Sequence, residues 1–177
     1  LTLTTPRLIH NLREQRALTV AGTEHLLAAM DAAGVRRLVS LSSFAVYDFL
    51  GCAVDSLVDE ATPLERHSER RSPYTRVKLE QENLVRARAV ANGWHWAIVR
   101  PGLVYGPDRT WFHHLGIRLS PTRWIGLERK GRLPLCHVAS CAEAIVRALE
   151  TDGASGQTFN LVDSELPTRE HYLVMLA

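Results

Sequence analysis

Two helical segments, each followed by a glycine and a short apolar run, constrain the fold of this chain most strongly. The first is 13–33, with Gly34 and the run 37–41 after it, and the second is 73–92, with Gly93 and the run 94–100 after it. A glycine after a helix favours a left-handed C-terminal cap. A short apolar run bounded by turn signals indicates a buried strand. Helix, glycine and strand in this order are half of a β-α-β unit, and they predict an α/β fold.

Composition places the chain among ordinary globular domains. Its 177 residues are 46% hydrophobic and 23% charged, which fits one domain with a substantial core. The net charge of +2 demands neither a nucleic acid nor an anionic membrane as partner. No run of 18 apolar residues is present, so the sequence predicts no transmembrane helix.

The cysteines indicate a reduced protein. Cys52, Cys136 and Cys141 do not form the framework of a disulfide-rich secreted domain. Cys136-His137 and Cys141 also lack the paired Cys-x-x-Cys spacing of a structural zinc site. We therefore expect buried free thiols, no metal and a cytoplasmic location.

Tyr74 and Lys78 form the first candidate for chemistry. They lie four residues apart just inside the second helix, where Ser72 can cap the helix and Pro73 suits its first position. Positions i and i+4 share one face of a helix. A free phenol has a pKa of about 10, and a neighbouring ammonium favours the phenolate. The pair can therefore transfer a proton near neutral pH. The spacing alone nevertheless favours an ordinary amphipathic helix that carries Tyr and Lys, because short motifs match by chance.

Further motifs around this pair decide between the two interpretations. In chain order they are Val20-Ala21-Gly22-Thr23, Ser42-Ser43-x-x-Val46-Tyr47, Tyr74-x-x-x-Lys78, Arg100-Pro101-Gly102-x-Val104-Tyr105-Gly106-Pro107, His137-Val138 and Phe159-Asn160-Leu161. The second follows a strand, at the end where open α/β sheets bind ligands. From about residue 13 onward, this order closely resembles the extended short-chain dehydrogenase/reductase superfamily, of the NAD-dependent epimerase/dehydratase type.

The resemblance implies a role for individual residues. Tyr74 would be the acid/base, and Lys78 would favour its phenolate and bind the hydroxyls of the nicotinamide ribose. Ser43 would hydrogen-bond the substrate oxygen and stabilise its developing charge. The residues that bind the cofactor would be Lys78, Tyr74, Pro101, Gly102, Leu103 and Val104, and the last four of them would lie against the nicotinamide. Tyr105 and Arg109 would contact the substrate.

The resemblance also implies the architecture. It predicts a partial Rossmann-like, doubly wound parallel sheet with a small C-terminal substrate-binding subregion. Residues 1–107 would be an incomplete nucleotide-binding core carrying the catalytic residues. Residues 108–177 would be mostly substrate-binding, with a late helix and strand that pack back on the core. The cofactor would be NAD or NADP, and helices 13–33 and 73–92 would form a homodimer.

One element of such enzymes is absent from the sequence. No Gly-x-x-Gly-x-x-Gly loop is present to hold a pyrophosphate, and no glycine precedes Gly22. The chain also begins with Leu1 rather than Met. We therefore expect a piece of a longer enzyme; a natural truncation without activity and a chain completed by another subunit are the alternatives. A sheet without its first strands would expose an edge, which favours pairing with another chain.

The reaction can be narrowed from the residues after Ser43. Phe44-Ala45 stand where the family's dehydratases carry an Asp-Glu pair, so epimerase or carbonyl reductase ranks above dehydratase. The substrate would be a nucleotide sugar or a small carbonyl compound. Cations that could pair with a diphosphate, or simply form a solvated surface, are Arg109, Arg123, Arg129, Lys130 and Arg132.

The alternative is a non-catalytic function. A dinucleotide-binding or dimerising relative would keep the fold and could lack the glycine-rich loop. Ser43, Tyr74 and Lys78 count against it, because a binding module does not need these three groups together.

Overall fold

The computed structural model describes residues 11–53, 56–112, 115–120, 123–126 and 131–176. The helices are α1 (Leu12–Arg16), α2 (Gly22–Ala33), α3 (Pro73–Ala91), α4 (Val138–Glu150) and α5 (Arg169–Met175), and a π-helical turn (Ala17–Ala21) joins α1 to α2. The strands are β1 (Arg37–Leu41), β2 (His95–Pro101), β3 (Leu103–Tyr105), β4 (Gly116–Ser120), β5 (Arg123–Gly126), β6 (Leu135–His137) and β7 (Gln157–Leu161). Short 3-10 turns cover Phe44–Val46, Ser68–Arg70 and Asp152–Ala154.

The central sheet is parallel and has the order β1-β2-β7. Val39 pairs with Ala97, and Val99 pairs with Phe159. Strand β2 lies in the middle and is buried from Trp96 to its end. A parallel strand that is covered on both faces reads as a continuous apolar run. The predicted α/β fold with a Rossmann-like parallel sheet is confirmed.

Helices cover both faces of this sheet. Alternate residues of a strand point to opposite faces, and Trp96 and Ile98 pack on one side against Leu27 of α2 and Val85 of α3. The odd-numbered positions of β1 and β2 face the other side, where Ala148 of α4 packs. The sheet is therefore wound on both faces.

The first predicted helix is interrupted. The sequence suggests one helix over 13–33, whereas the structure has the π-helical turn Ala17–Ala21 between two α-helical parts. The periodicity of apolar residues does not reveal such a turn, because it displaces the pattern by only one residue. The helix ends as expected at Gly34, whose φ of 68° is the left-handed conformation that favours glycine.

The region after residue 107 is more regular than its sequence indicates. Strands β4 and β5 form an antiparallel pair, and β6 pairs in parallel with β3. A three-residue strand carries no readable periodicity, so the sequence pattern does not identify Leu103–Tyr105 as a strand. A second core contains Phe112, Leu115, Leu133, Leu135 and Tyr172. The division of the chain at 107/108 stays a prediction.

Among the described helices, none is long and apolar enough to cross a membrane.

Candidate active site

The start of α3 fixes the position of Tyr74 and Lys78. Ser72 Oγ accepts a hydrogen bond from Thr75 N at 3.3 Å, and Pro73 occupies the first turn. Both are signals for a helix N-terminus. Lys78 is only 2% exposed, and its Nζ lies 5.9 Å from the centroid of the Tyr74 ring. That distance is within the range of a cation–π contact, so the structure brings the two side chains together.

Lys78 is held by neutral acceptors. Its Nζ donates to Leu41 O, at the end of β1, at 2.8 Å and to Gln81 Oε1 at 3.0 Å. Burial lowers the pKa of Lys78 to about 8, and the negative charge of Glu82 opposes this. Most of the lysine is therefore still protonated at pH 7. The structure therefore places a buried ammonium beside the Tyr74 ring.

Ser43 lies on the turn that follows β1. Ser42 N donates to Val99 O at 2.8 Å, which extends the contact with β2 by one residue. Ser43 Oγ accepts from Ala45 N at 3.2 Å and caps the 3-10 turn Phe44–Val46. Helix α3 packs against this turn. Ser43 thus lies at the carboxyl end of β1, the same end that holds Lys78.

Sequence reasoning missed a buried ion pair below this site. Arg100 Nε and Nη2 donate to Glu82 Oε1 and Oε2 at 2.9 and 2.7 Å. Arg100 Nη1 also donates to Tyr47 Oη at 2.9 Å, and Tyr47 donates to Asn160 Oδ1 at 2.7 Å. The network therefore joins α3, β2, β7 and the turn after Ser43.

Electrostatics keeps Glu82 ionised. Burial acts to raise the pKa of Glu82, but hydrogen bonds, that from Arg100 above all, and the charge of Arg100 outweigh it, so the pKa lies below its ordinary value. Bidentate pairing satisfies both charges inside the protein. Arg100 stands in a motif that the sequence singles out, yet no local signal links it to Glu82, which lies 18 residues earlier.

The segment 101–104, which is predicted to lie against the nicotinamide, packs closely against the backbone of two neighbouring segments. Gly102 N donates to Leu161 O at 3.0 Å, and Leu103 N donates to Pro134 O at 2.6 Å. A Cβ on Gly102 would lie 2.0 Å from Pro134 O, so only glycine fits at this position. Pro101 and Val104 flank this junction. A contact of the segment with nicotinamide stays a prediction.

Tyr105 and Arg109 belong to a neighbouring group of contacts. The Tyr105 ring packs edge-on against His137, with centroids 5.2 Å apart. Burial, followed by a hydrogen bond to the Asp163 carboxylate, raises the pKa of Tyr105. Arg109 is exposed in a turn where its N donates to Gly106 O at 3.1 Å. Their contact with substrate stays a prediction.

The other predicted cations and the cysteines add little to the site. Arg132 Nη1 donates to Leu166 O at 2.6 Å, whereas Arg129 and Lys130 lie outside the described residues. Cys136 and Cys141 are buried free thiols. In the described part of the chain, no group of three His, Cys, Asp or Glu side chains could hold a metal ion.

A parallel sheet with Ser43, Tyr74 and Lys78 at one end is the arrangement that the sequence resemblance implies. Residues 10–161 match the NAD dependent epimerase/dehydratase family. The chain belongs to this family. The family is NAD-dependent, which confirms the predicted cofactor, a nicotinamide dinucleotide.

One relative is similar in sequence. The 4-hydroxy-2-methyl-3-oxo-4-farnesyl-3,4-dihydroquinoline-1-oxide ketoreductase of Stigmatella aurantiaca is 32% identical over 161 residues, which are 89% of this chain and 46% of the relative. The chain thus spans about half the length of the curated relative that it matches.

Solved structures of the same fold hold nicotinamide dinucleotides. A short-chain dehydrogenase/reductase superfamily protein from Agrobacterium tumefaciens with bound NAD has a TM-score of 0.75 at 24% identity, over 99% of this chain and 62% of that one. RMD from Pseudomonas aeruginosa, complexed with NADPH, has a TM-score of 0.77 at 20% identity, over 97% and 61%. MoeE5 in complex with UDP-glucose and NAD has a TM-score of 0.72 at 22% identity, over 94% and 56%. At these identities the likeness shows the fold.

Proposed function

We propose that this chain carries the catalytic centre of an NAD(P)-dependent carbonyl reductase and is part of a longer enzyme. The observation that carries the proposal is the buried ammonium of Lys78, fixed at the end of β1 beside Tyr74. Burying an ammonium costs free energy, and a catalytic role beside Tyr74 would account for a lysine at this position. The ketoreductase among the relatives supports carbonyl reduction over epimerisation.

Each residue of the site would have its own role in such a reduction. A bound nicotinamide dinucleotide supplies the hydride. Tyr74 donates its phenolic proton to the carbonyl oxygen, which becomes a hydroxyl, and the Lys78 charge stabilises the phenolate that remains. Ser43 Oγ accepts from Ala45 N, so its own hydrogen is available to the same substrate oxygen.

The described residues fit the ribose end of this cofactor. Among them, the acceptors of Lys78 Nζ are Leu41 O and Gln81 Oε1. An ammonium has three hydrogens, so one is left for a ribose hydroxyl. The segment 101–104, whose glycine lets the backbone at Pro134 come close, would lie against the nicotinamide ring.

A homodimer is part of the proposal. The two predicted helices carry exposed apolar side chains, with Leu18 49% and Val90 67% exposed. Arg16 pairs with Glu80 at 2.7 Å and joins the first helical segment to α3. The two segments would pack as one surface against the same surface of a second copy.

Tyr74→Phe in the natural full-length protein tests the function. We expect consumption of NADH or NADPH with ketone substrates, and a loss of about 10²- to 10⁴-fold in kcat for the variant. Its circular dichroism and melting temperature should stay unchanged, because the phenylalanine keeps the ring. Glu143→Gln, a change on α4 at a side chain that is 62% exposed, should keep full activity.

Other outcomes identify the alternatives. Conversion of a nucleotide sugar without net consumption of cofactor would indicate an epimerase. Binding of NADH or NADPH without turnover of any substrate class would indicate a non-catalytic relative. A Tyr74→Phe variant with the wild-type rate would contradict the role of Tyr74.

A further inference from the structure

Gln81 connects the buried ammonium of Lys78 to the helix beside α3. Lys78 Nζ donates to Gln81 Oε1, and Gln81 Nε2 donates to Thr23 Oγ1, both at 3.0 Å. Thr23 Oγ1 donates to Thr19 O at 2.6 Å. The exposed fractions of the four residues are all 4% or less. A buried chain of hydrogen bonds therefore runs from Lys78 to the π-helical turn Ala17–Ala21.

Chemistry fixes the direction of each bond in this chain. A carbonyl oxygen only accepts, so the Thr23 hydroxyl must give its hydrogen to Thr19 O, and its oxygen is left to accept from Gln81. An ammonium only donates, so Gln81 must present Oε1 to Lys78. The position needs an acceptor on one side and a donor on the other. A primary amide offers both, whereas a carboxylate lacks the donor and a thioether lacks a donor and a strong acceptor.

We propose that Gln81 is a positioning residue, which holds the Lys78 ammonium at the end of β1 and ties it to Thr23. The inference rests on the proposed function, because that function gives Lys78 its task beside Tyr74. Without Gln81, the ammonium would keep the Leu41 carbonyl but leave a second buried donor unpaired. An unpaired donor is costly, and the side chain would shift to satisfy it.

The surroundings of Lys78 determine how its titration responds. The ionisable groups near it are Tyr74 and Glu82 on α3, and Glu82 is itself paired with Arg100 on β2. Leu41 on β1 and Thr23 on α2 present neutral groups. Burial already lowers the pKa of Lys78 to about 8. Removing an acceptor from the charged form lowers the pKa further, and placing a carboxylate there raises it.

The test uses Gln81→Met and Gln81→Glu in the natural full-length protein. The titration of Lys78 is followed by NMR of ¹³C-labelled lysine, and its signal is assigned by its loss in Lys78→Met. We expect the apparent pKa to fall in Gln81→Met and to rise in Gln81→Glu, each by about one pH unit. In Gln81→Met, kcat/KM should also fall by about tenfold to a hundredfold, as expected for a lost hydrogen bond to a charged group.

Further variants keep the test decisive. Thr23→Val removes the hydrogen-bond acceptor of Gln81 Nε2 and does not contact Lys78. We expect it to lower the pKa of Lys78 less than Gln81→Met does. This variant replaces Gln81→Met in the test if Gln81→Met does not fold. Asn83→Ala should leave the titration unchanged. An identical Lys78 titration in the wild type and all Gln81 and Thr23 variants would overturn the inference. Full activity of Tyr74→Phe and Lys78→Met would instead refute the proposed function, while the NMR result still decides the role of Gln81.

Discussion

Replacing Glu82 by Gln should destabilise the fold far more than its size suggests. Glu82 and Arg100 side chains are 1% and 3% exposed, and two hydrogen bonds of 2.9 and 2.7 Å join them. Breaking a buried pair by removing one charge costs about 3–5 kcal/mol, because the other charge stays buried without compensation. Glutamine keeps the shape and can still accept one bond, so we expect about 3 kcal/mol. That is a large share of the roughly 5–15 kcal/mol that stabilises a typical domain.

Urea unfolding measures this loss against an exposed pair. Arg147 Nη2 lies 2.6 Å from Glu143 Oε1, but the side chains of Glu143 and Arg147 are 62% and 76% exposed. Glu143→Gln should therefore cost under about 0.5 kcal/mol. The midpoint of unfolding should fall strongly in Glu82→Gln and hardly in Glu143→Gln, at similar slopes. Equal midpoints in the two variants would refute the reasoning, because burial would then not distinguish the pairs.

The pH dependence of stability gives a second readout for Glu82. Its pKa is below the ordinary value in the folded state. The stabilisation is therefore fully present above the unfolded pKa, which is about 4.3, and is lost as the pH falls through the folded pKa. The difference in unfolding free energy between wild type and Glu82→Gln should shrink as the pH is lowered below about 4. A difference that stays constant down to pH 2 would show that the charge is not the cause.

Two further predictions use matched variants. Gly102→Ala would place a Cβ 2.0 Å from Pro134 O and should lower the melting temperature clearly. At Gly22 a Cβ would meet no atom within 4 Å beyond the neighbouring backbone of its own helix among the described residues, so Gly22→Ala should be neutral or stabilise by up to about 1 kcal/mol. Leu18→Asp should turn the proposed homodimer into a monomer by light scattering, while Val174→Asp, 70% exposed on α5, should not; a monomeric wild type would contradict the proposed interface.

Local signals in the sequence predict helix α3 well. Ser72 and Pro73 mark its start, and the structure confirms both as cap and first-turn residues. Tyr74 and Lys78 follow from the helical period once that start is known. The turn with Ser43 is likewise set by its place after a short apolar strand. These features depend on neighbours within a few residues, which is why sequence reasoning reaches them.

Contacts between distant segments could not be predicted in the same way. Gln81 meets Thr23 across 58 residues, and Glu82 meets Arg100 across 18. Each of these side chains alone reads as an ordinary polar position on a helix or a strand. The π-helical turn is equally invisible, because its effect is a one-residue displacement. These features depend on contacts between residues that are far apart in the chain, and a single sequence does not show which distant residues meet.

The buried side of α3 shows why its motif has a fixed geometry. Seven of its residues are buried, and four of them are polar: Thr75, Lys78, Gln81 and Glu82. A polar buried face is costly unless each group has a partner. Here Lys78 is held by β1, Gln81 by the helix of Thr23, and Glu82 by β2. Three elements therefore fix the rotation of α3 about its axis, and this rotation sets the direction in which the Tyr74 side chain, one turn from Lys78, leaves the helix.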